Sequence, residues 1–379
     1  MAQTDAQTRL KRKKKEQSRI NRKKRRVEER STLGSQPLPD SVKDRHIERA
    51  HPANMHIDST QSKVSSTGFT GLDKTISTQQ YSLHDLVGPN SRFKFKLQKW
   101  DGRSTIPLVD EDGKVWGLLA GQPNDPHWPE LQREAAEALG SRRSRCVESK
   151  KKPNRRGKFK ALRCGVSHGG GQSRPTNHAN CLENAAVLEE LNGLKPFHRL
   201  AGFSSSVMAN WAPDLYKYYA DYQGRLYAHD PDLRRTFKNS IFAAATYNFG
   251  PRTVCFKHTD WANLPFGWCS ITALGSFDHT AGGHLVLWQC GLVIEFPAGS
   301  TILIPSAIIS HSNTTIAADE TRYSFTQYSA GGLFRWVENG FQTSEVHQAS
   351  LSEEQKIEEA EKNSMRWAMG ISLLPTCSK

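Results

Sequence analysis

The chain has no apolar run approaching the ~18 residues that a membrane-spanning helix needs, so it reads as a soluble protein with no membrane partner. Its first thirty residues lack the apolar stretch of a secretory signal and are instead polar and basic. Cysteine is sparse: seven residues, an odd number, with no CxxC pair. That argues against a disulfide framework and fits free thiols in a reducing compartment. No internal repeat is evident. Acidic residues are too few to balance the basic ones, 38 against 52, leaving a net charge of +14 over 379 residues.

The positive charge is concentrated in two places. Residues 1–30 carry thirteen Lys/Arg and four Asp/Glu, and residues 142–160 carry ten Lys/Arg against Glu148 alone. Together they exceed the net charge of the whole chain, so the remainder is mildly acidic. The first segment, KRKKK then RKKRR, reads as a disordered tail. It suits a bipartite import signal or a non-specific nucleic-acid arm, which implies the nuclear import machinery and a nuclear location. In the second, Arg142, Arg143, Arg145, Lys150, Lys151, Lys152, Arg155, Arg156, Lys158 and Lys160 suit phosphate contacts, which position a protein on DNA without reading sequence. A flexible surface loop is the alternative.

Composition divides the chain into a tail and linker at 1–79 and one domain at 80–379. Phe93–Leu97, Thr105–Val109 and Lys114–Leu118 read as short strands, with Asp112-Gly113 as a hairpin turn. Pro129–Leu139, Leu182–Leu191 and Leu215–Leu226 read as helices, and Ser350-Leu351-Ser352-Glu353 as a capping box before a last one. From about 241 to 341 short apolar strands dominate: Thr253–Lys257, Leu285–Trp288, Leu292–Phe296, Thr301–Ile304 and Arg322–Tyr328. Gly282-Gly283 and Pro297–Ser300 punctuate them as turns. Short strands with such turns indicate a sandwich or barrel.

On that block lies an ordered set: His258-Thr259-Asp260, then His311, then Arg322-Tyr323-Ser324. Two imidazoles and a carboxylate make the facial triad that holds Fe(II) with open positions. An Arg with a nearby hydroxyl suits a 2-oxoglutarate carboxylate, because the guanidinium fork pairs with it in bidentate fashion. A second HxD, His56-Ile57-Asp58, has no strand before it. Cys164, His168, His178 and Cys181 offer four zinc-type ligands, at a spacing that fits no common finger.

The block Ile241–Phe341 resembles the double-stranded β-helix of 2-oxoglutarate/Fe(II) dioxygenases. It is most similar to the TET/JBP family, in the branch expanded in mushroom-forming fungi beside transposons. NFGPRTVCFKHTDWANLPFGWCSITALGSFD, GGHLVLW, IEFPAGSTILIPSAI, HSN and RYSFTQYSAGGLFRWV carry the resemblance, which reaches back to GVSHGGGQ at 165–172. It implies an α+β fold: a jelly-roll core braced by helices. It implies His258, Asp260 and His311 as iron ligands, Arg322 and Ser324 on 2-oxoglutarate, and Asn263 of an HxDxxN pattern on the target base. Animal members have a base-contacting His beyond RxS; residues 325–330 contain none.

The activity so implied is oxidation of the methyl group of 5-methylcytosine, or another 5-methylpyrimidine, to hydroxymethyl and further. It uses Fe(II), 2-oxoglutarate and O2. The partner is duplex DNA with a flipped methylated base, since a stacked base cannot reach a buried metal. Trp261, Phe266 and Trp268 are candidates to stack on it. The same fold supports chemistry on 6-methyladenine, RNA or a protein side chain. A catalytically inactive transposon-encoded DNA-binding module is the alternative from another class, and the intact ligand set argues against it.

Overall fold

The computed structural model describes residues 14–21, 50–58, 62–74, 77–148, 154 and 156–377. Thirteen strands are defined: β1 (Ala53–Asn54), β2 (Lys96–Gln98), β3 (Ile106–Val109), β4 (Val115–Gly121), β5 (Lys160–Ser167), β6 (Thr176–Asn177), β7 (Ala244–Phe249), β8 (Cys269–Ser276), β9 (Leu285–Leu287), β10 (Leu292–Ile294), β11 (Thr301–Ile304), β12 (His311–Asn313) and β13 (Thr321–Tyr328). The helices are α1 (Leu83–Leu86), α2 (Trp128–Arg142), α3 (Leu182–Gly193), α4 (Lys195–Trp211), α5 (Pro213–His229), α6 (Gly331–Glu338), α7 (Ser344–Ser350) and α8 (Glu353–Ser372).

A nine-stranded sheet runs β1-β3-β4-β11-β8-β13-β7-β5-β6, and a four-stranded sheet runs β12-β9-β10-β2. Pairing is antiparallel except at β1/β3 and β2/β10. This is the expected α+β jelly roll with bracing helices. Its large sheet draws strands from well outside the 241–341 block.

Strand alternation assigns the two faces of the large sheet. Ala245, Tyr247 and Phe249 of β7 share an apolar cluster with Phe325 of β13 and with Leu139, Val187, Phe197 and Leu200 of the helices. The intervening Thr246 and Asn248, with Arg322, Ser324, Thr326 and Tyr328, line a cleft on the opposite face. A one-residue slip of β7 against β13 would put the polar set among the helices.

Several elements differ from the sequence reading. Thr253–Lys257 is not a strand: only Arg252 and His258 form bridges there, with Arg322 and His311. The 1–79 tail is too generous, because β1 pairs with β3 and Met55 and Phe69 are buried. Of the first basic segment only residues 14–21 are described; they are helical and exposed, in keeping with a tail, and the rest lies outside the described residues. The last cap falls two residues later than expected, with Ser352 and Gln355 forming the box. The Asp112-Gly113 hairpin is present, with Gly113 at φ +77°.

Strands β5, β7 and β8 and helix α4 are not among the elements of the sequence reading. Helix α4 carries Ser204 and Ser205 mid-helix, each bonding back to the carbonyl four residues earlier, at 3.1 Å. Ser204 also accepts from Ser270 of β8 at 2.7 Å. Small polar residues there permit close helix–sheet approach, which hydrophobic patterning does not reveal. Among the described residues no helix is long and apolar enough to cross a membrane.

Gly331 opens α6 against the carbonyl of Phe69, where an added Cβ would come within 1.7 Å of the oxygen. Gly331→Ala is therefore expected to destabilise the protein by about 1–3 kcal/mol, the usual cost of overpacking. A urea melt with an unchanged midpoint would contradict this packing.

Candidate metal centre and cosubstrate cleft

His258, Asp260 and His311 bring their ligand atoms within 4.8 Å of one another, the single such group among the described residues. Nε2 of His258 lies 3.8 Å from Asp260 Oδ1, and Nε2 of His311 lies 4.0 Å from Asp260 Oδ2. Atoms bound ~2.1 Å from one ion can be at most about 4.2 Å apart; the two His–Asp distances meet that limit, and the set as a whole, within 4.8 Å, would have to draw in by a few tenths of an ångström around an ion. The two ligand-bearing segments pair through their backbones, His258 N to His311 O at 3.1 Å and His311 N to His258 O at 2.9 Å.

The tautomers fit as well. Nδ1 of His258 is 2.7 Å from the Phe256 carbonyl, and Nδ1 of His311 is 3.0 Å from that of Ile309. A carbonyl only accepts, so each Nδ1 carries the proton and each Nε2 turns a lone pair, as the Asp260 carboxylate does, towards the position a metal would take. Burial, and then neighbouring His311, push His258 down to about 3. Burial also lowers His311. Burial opposes ionisation of Asp260, but Arg156 and the two histidines outweigh it and hold the carboxyl far below its usual range.

Arg156 was expected among phosphate contacts; the structure places it in the cleft. Its Nη2 donates to Asp260 Oδ1 at 2.5 Å. The rest of its segment is largely engaged elsewhere. Arg142 and Arg145 pair with Glu190 at 2.9 and 2.6 Å. Arg143 donates to the Gly250 carbonyl at 2.6 Å, and Lys160 to that of Cys146 at 2.8 Å. Lys150, Lys151, Lys152 and Arg155 lie outside the described residues.

Arg322 is 1% exposed and flanked by the rings of Phe277 and Phe296, each 5.7 Å from its Cζ. Its Nη1 donates to the Thr253 carbonyl at 2.8 Å. Its Nε and Nη2, one edge of the fork, have no partner. Burial lowers this guanidinium to about 10. Two unpaired N–H groups side by side in a buried cleft fit a bidentate carboxylate. Ser324, two residues along the same strand face, accepts from Asn248 Nδ2 at 2.9 Å. His284 sits nearby, fully buried, with Nδ1 2.8 Å from the Thr314 hydroxyl and Nε2 unpartnered. Its signal was a lone His in an apolar run, indistinguishable by sequence from a core histidine.

Asn263 is not brought to the cleft wall. Its N–H closes a turn on the Asp260 carbonyl at 2.7 Å, and its side chain donates to the Ser306 hydroxyl at 3.2 Å. Phe266 and Trp268 are core residues, and Trp261 lies under Lys74. The aromatics that line the cleft are Phe159 and Tyr328. Exposed Arg163, paired with Thr246 on β5, stands on the same face at the rim. Cys164, His168, His178 and Cys181 form no such ligand group; the Cys164 thiol faces Asn192 and the Ala245 carbonyl. His56 and Asp58 line a separate open groove of about 780 Å³.

Neither a protein-family model nor a curated protein matches the sequence. Among solved structures the chain is similar to NgTET1 in complex with 5mC DNA, at 15% identity and a TM-score of 0.45, over 64% of this chain and 84% of that one. It is also similar to an oxidoreductase of the 2OG-Fe(II) oxygenase family from Burkholderia pseudomallei, at 20% identity and a TM-score of 0.26, over 44% of this chain and 65% of that one. At such low identity and overlap, the chemistry has to be read from the side chains.

The depressed His258 makes the metal-free protein acid-sensitive. Above pH 6.5 this histidine is neutral both folded and unfolded; below it the unfolded chain takes the proton first. Its share of stability is therefore lost as pH falls from 6.5 towards about 3, by up to ~1.4 kcal/mol per pH unit. Urea midpoints against pH should show that slope, and His258→Asn should flatten it. An equal slope in the variant would assign the acid sensitivity to other groups.

Proposed function

We propose that the protein is a Fe(II)- and 2-oxoglutarate-dependent dioxygenase that oxidises the methyl group of 5-methylcytosine, or a related 5-methylpyrimidine, in duplex DNA. The observation that carries the oxygenase reading is the unpaired edge of buried Arg322, which lines the same cleft as the His258, Asp260 and His311 triad. A metal site alone has no use for a desolvated guanidinium with two idle donors; a cosubstrate carboxylate does.

When bound, Fe(II) and 2-oxoglutarate supply the oxidative chemistry, in which O2 is consumed, the cosubstrate yields succinate and CO2, and a C–H bond gains oxygen. The chain's own part is to bind, orient and exclude water. The two Nε2 atoms and the Asp260 carboxylate would hold the metal. Arg322 would grip the far carboxylate, with the Ser324 hydroxyl beside it and fixed by Asn248. Arg156 keeps Asp260 ionised and fixed in direction. Apolar walls from Ile271 and Leu285 keep the cleft dry.

The DNA half of the reading rests on the sequence resemblance and on the shape of the cleft. Phe159 and Tyr328 offer flat faces to a planar ring, and Arg163 offers a cation at the rim, where a backbone phosphate of a flipped nucleotide would pass. Such a base would be read without a histidine after RxS. The N-terminal basic runs suit nuclear import. Action on 6-methyladenine, RNA or a protein side chain is the second reading; the same triad and Arg322 serve it equally.

The test is incubation of methylated duplex DNA with the protein, Fe(II), 2-oxoglutarate and ascorbate, followed by nucleoside mass spectrometry. Hydroxymethylcytosine is the expected product. Arg322→Ala should raise the 2-oxoglutarate requirement roughly 30-fold or more, from about 2 kcal/mol for a lost buried partner. Arg322→Lys should recover only part, because an ammonium lacks the fork. Turnover on a protein or RNA target with none on methylated DNA would leave the oxygenase and remove the DNA substrate.

A further inference from the structure

The His258 segment lacks a strand ladder, so its backbone groups need partners from elsewhere. Residues 71–74 and Ser77 supply them. Gly71 N donates to the Trp261 carbonyl at 2.8 Å, and Ser77 N to the Lys257 carbonyl at 3.0 Å. Lys74 Nζ lies 4.6 Å over the Trp261 ring. The approach is tight: an added Cβ on Gly71 would come 2.4 Å from the Ala307 carbonyl, in the turn before His311. This strap is tied to the body behind it. Arg366 of α8 donates to the Thr67 carbonyl at 2.8 Å and stacks on Phe69 at 4.2 Å.

One residue of the strap reaches both ligand-bearing segments. The Asp73 carbonyl accepts from the hydroxyl of Thr259, the residue between His258 and Asp260. The Asp73 carboxylate accepts from the hydroxyl of Ser310, the residue before His311, at 3.4 Å. Gln289 fixes the direction of that second bond: its amide N donates to the Ser310 oxygen at 3.0 Å, while its amide O takes the Ser310 N–H at 2.8 Å. The Ser310 proton is thereby left for Asp73. Thr259 and Ser310 are 2% and 1% exposed, while Asp73 is half-buried beside the open groove.

We propose that Asp73 is a positioning residue for the metal site, joining the His258–Asp260 loop to the turn that presents His311. It touches neither metal nor substrate; it fixes the spacing of the three ligands from outside. This rests on reading the triad as a divalent-metal site. Groups of this outer kind typically change metal affinity by 10–100-fold when removed.

The test uses the full chain, titrated anaerobically with Co(II) and followed by visible absorption, beside thermal melts of the metal-free protein. Asp73→Ala, which keeps the carbonyl and loses only the carboxylate, should weaken Co(II) binding about tenfold or more. Asp73→Asn should recover most of it, since an amide oxygen still accepts from Ser310. Thr259→Val should weaken binding through the other arm, and Thr259→Ser should restore it. Leu72→Ala, at an exposed neighbour, should change nothing. With Fe(II) and 2-oxoglutarate, the charge-transfer absorption of Asp73→Ala should shift while the 2-oxoglutarate KM stays near wild type. Unchanged Co(II) affinity in Asp73→Ala overturns the proposal. So does an Asn variant as weak as the Ala variant with a matching drop in metal-free melting, which would make Asp73 merely structural. A wild-type chain that binds no divalent ion sinks the metal-site reading itself, a result distinct from either.

Discussion

The site depends on strict alternation along two neighbouring strands. Ala245, Tyr247 and Phe249 of β7 and Tyr323 and Phe325 of β13 pack with α2, α3 and α4, while Thr246, Asn248, Arg322, Ser324, Thr326 and Tyr328 alternate with them and face the cleft. The helices therefore lock the register of the strands that carry Arg322 and Ser324. A guanidinium with two unpaired donors would be intolerable as an isolated feature, because a buried unsatisfied group costs about 1–3 kcal/mol. The apolar face of the same strands stabilises enough to hold it there.

The metal ligands are secured in a different way. His258 and His311 meet across a single backbone bridge; His258 lies outside any strand ladder, while His311 opens β12, which pairs with β9. Their orientation comes from local bonds: each Nδ1 on a carbonyl two residues earlier, Arg156 on Asp260, and residues 71–74 with Ser77 on the outside. A rigid wall thus carries Arg322 and Ser324, and a loop and a strand end braced from several directions carry His258, Asp260 and His311. That division lets the ligands close by a few tenths of an ångström around an ion without moving the wall.

Much of this was legible in the sequence because some residue types have few other uses in such an order. HxD, a distal His and RxS fixed the donor set, and Asp112-Gly113 fixed a hairpin. The interior strands and α4 were not legible: Thr246, Asn248, Ser270 and Ser204 are polar yet buried, so periodicity points the wrong way. Arg156 lay in a dense basic run, where nothing marks the one arginine that turns inward. Phe266 and Trp268 were aromatic and near the triad in sequence, but strand direction sends them into the core.

The sequence by itself determined the chemistry on offer: two imidazoles, a carboxylate, an arginine and a hydroxyl in order along short strands. Only the tertiary structure decided which groups converge, because convergence depends on partners far away in the chain. Gly71 meets Trp261, Ser77 meets Lys257, Arg156 meets Asp260 and Arg366 meets Thr67, all pairings across at least about a hundred residues or between opposite ends of the fold. Local preference carries no record of such contacts; they form when burial of the apolar faces brings the segments together and the remaining polar groups must find one another.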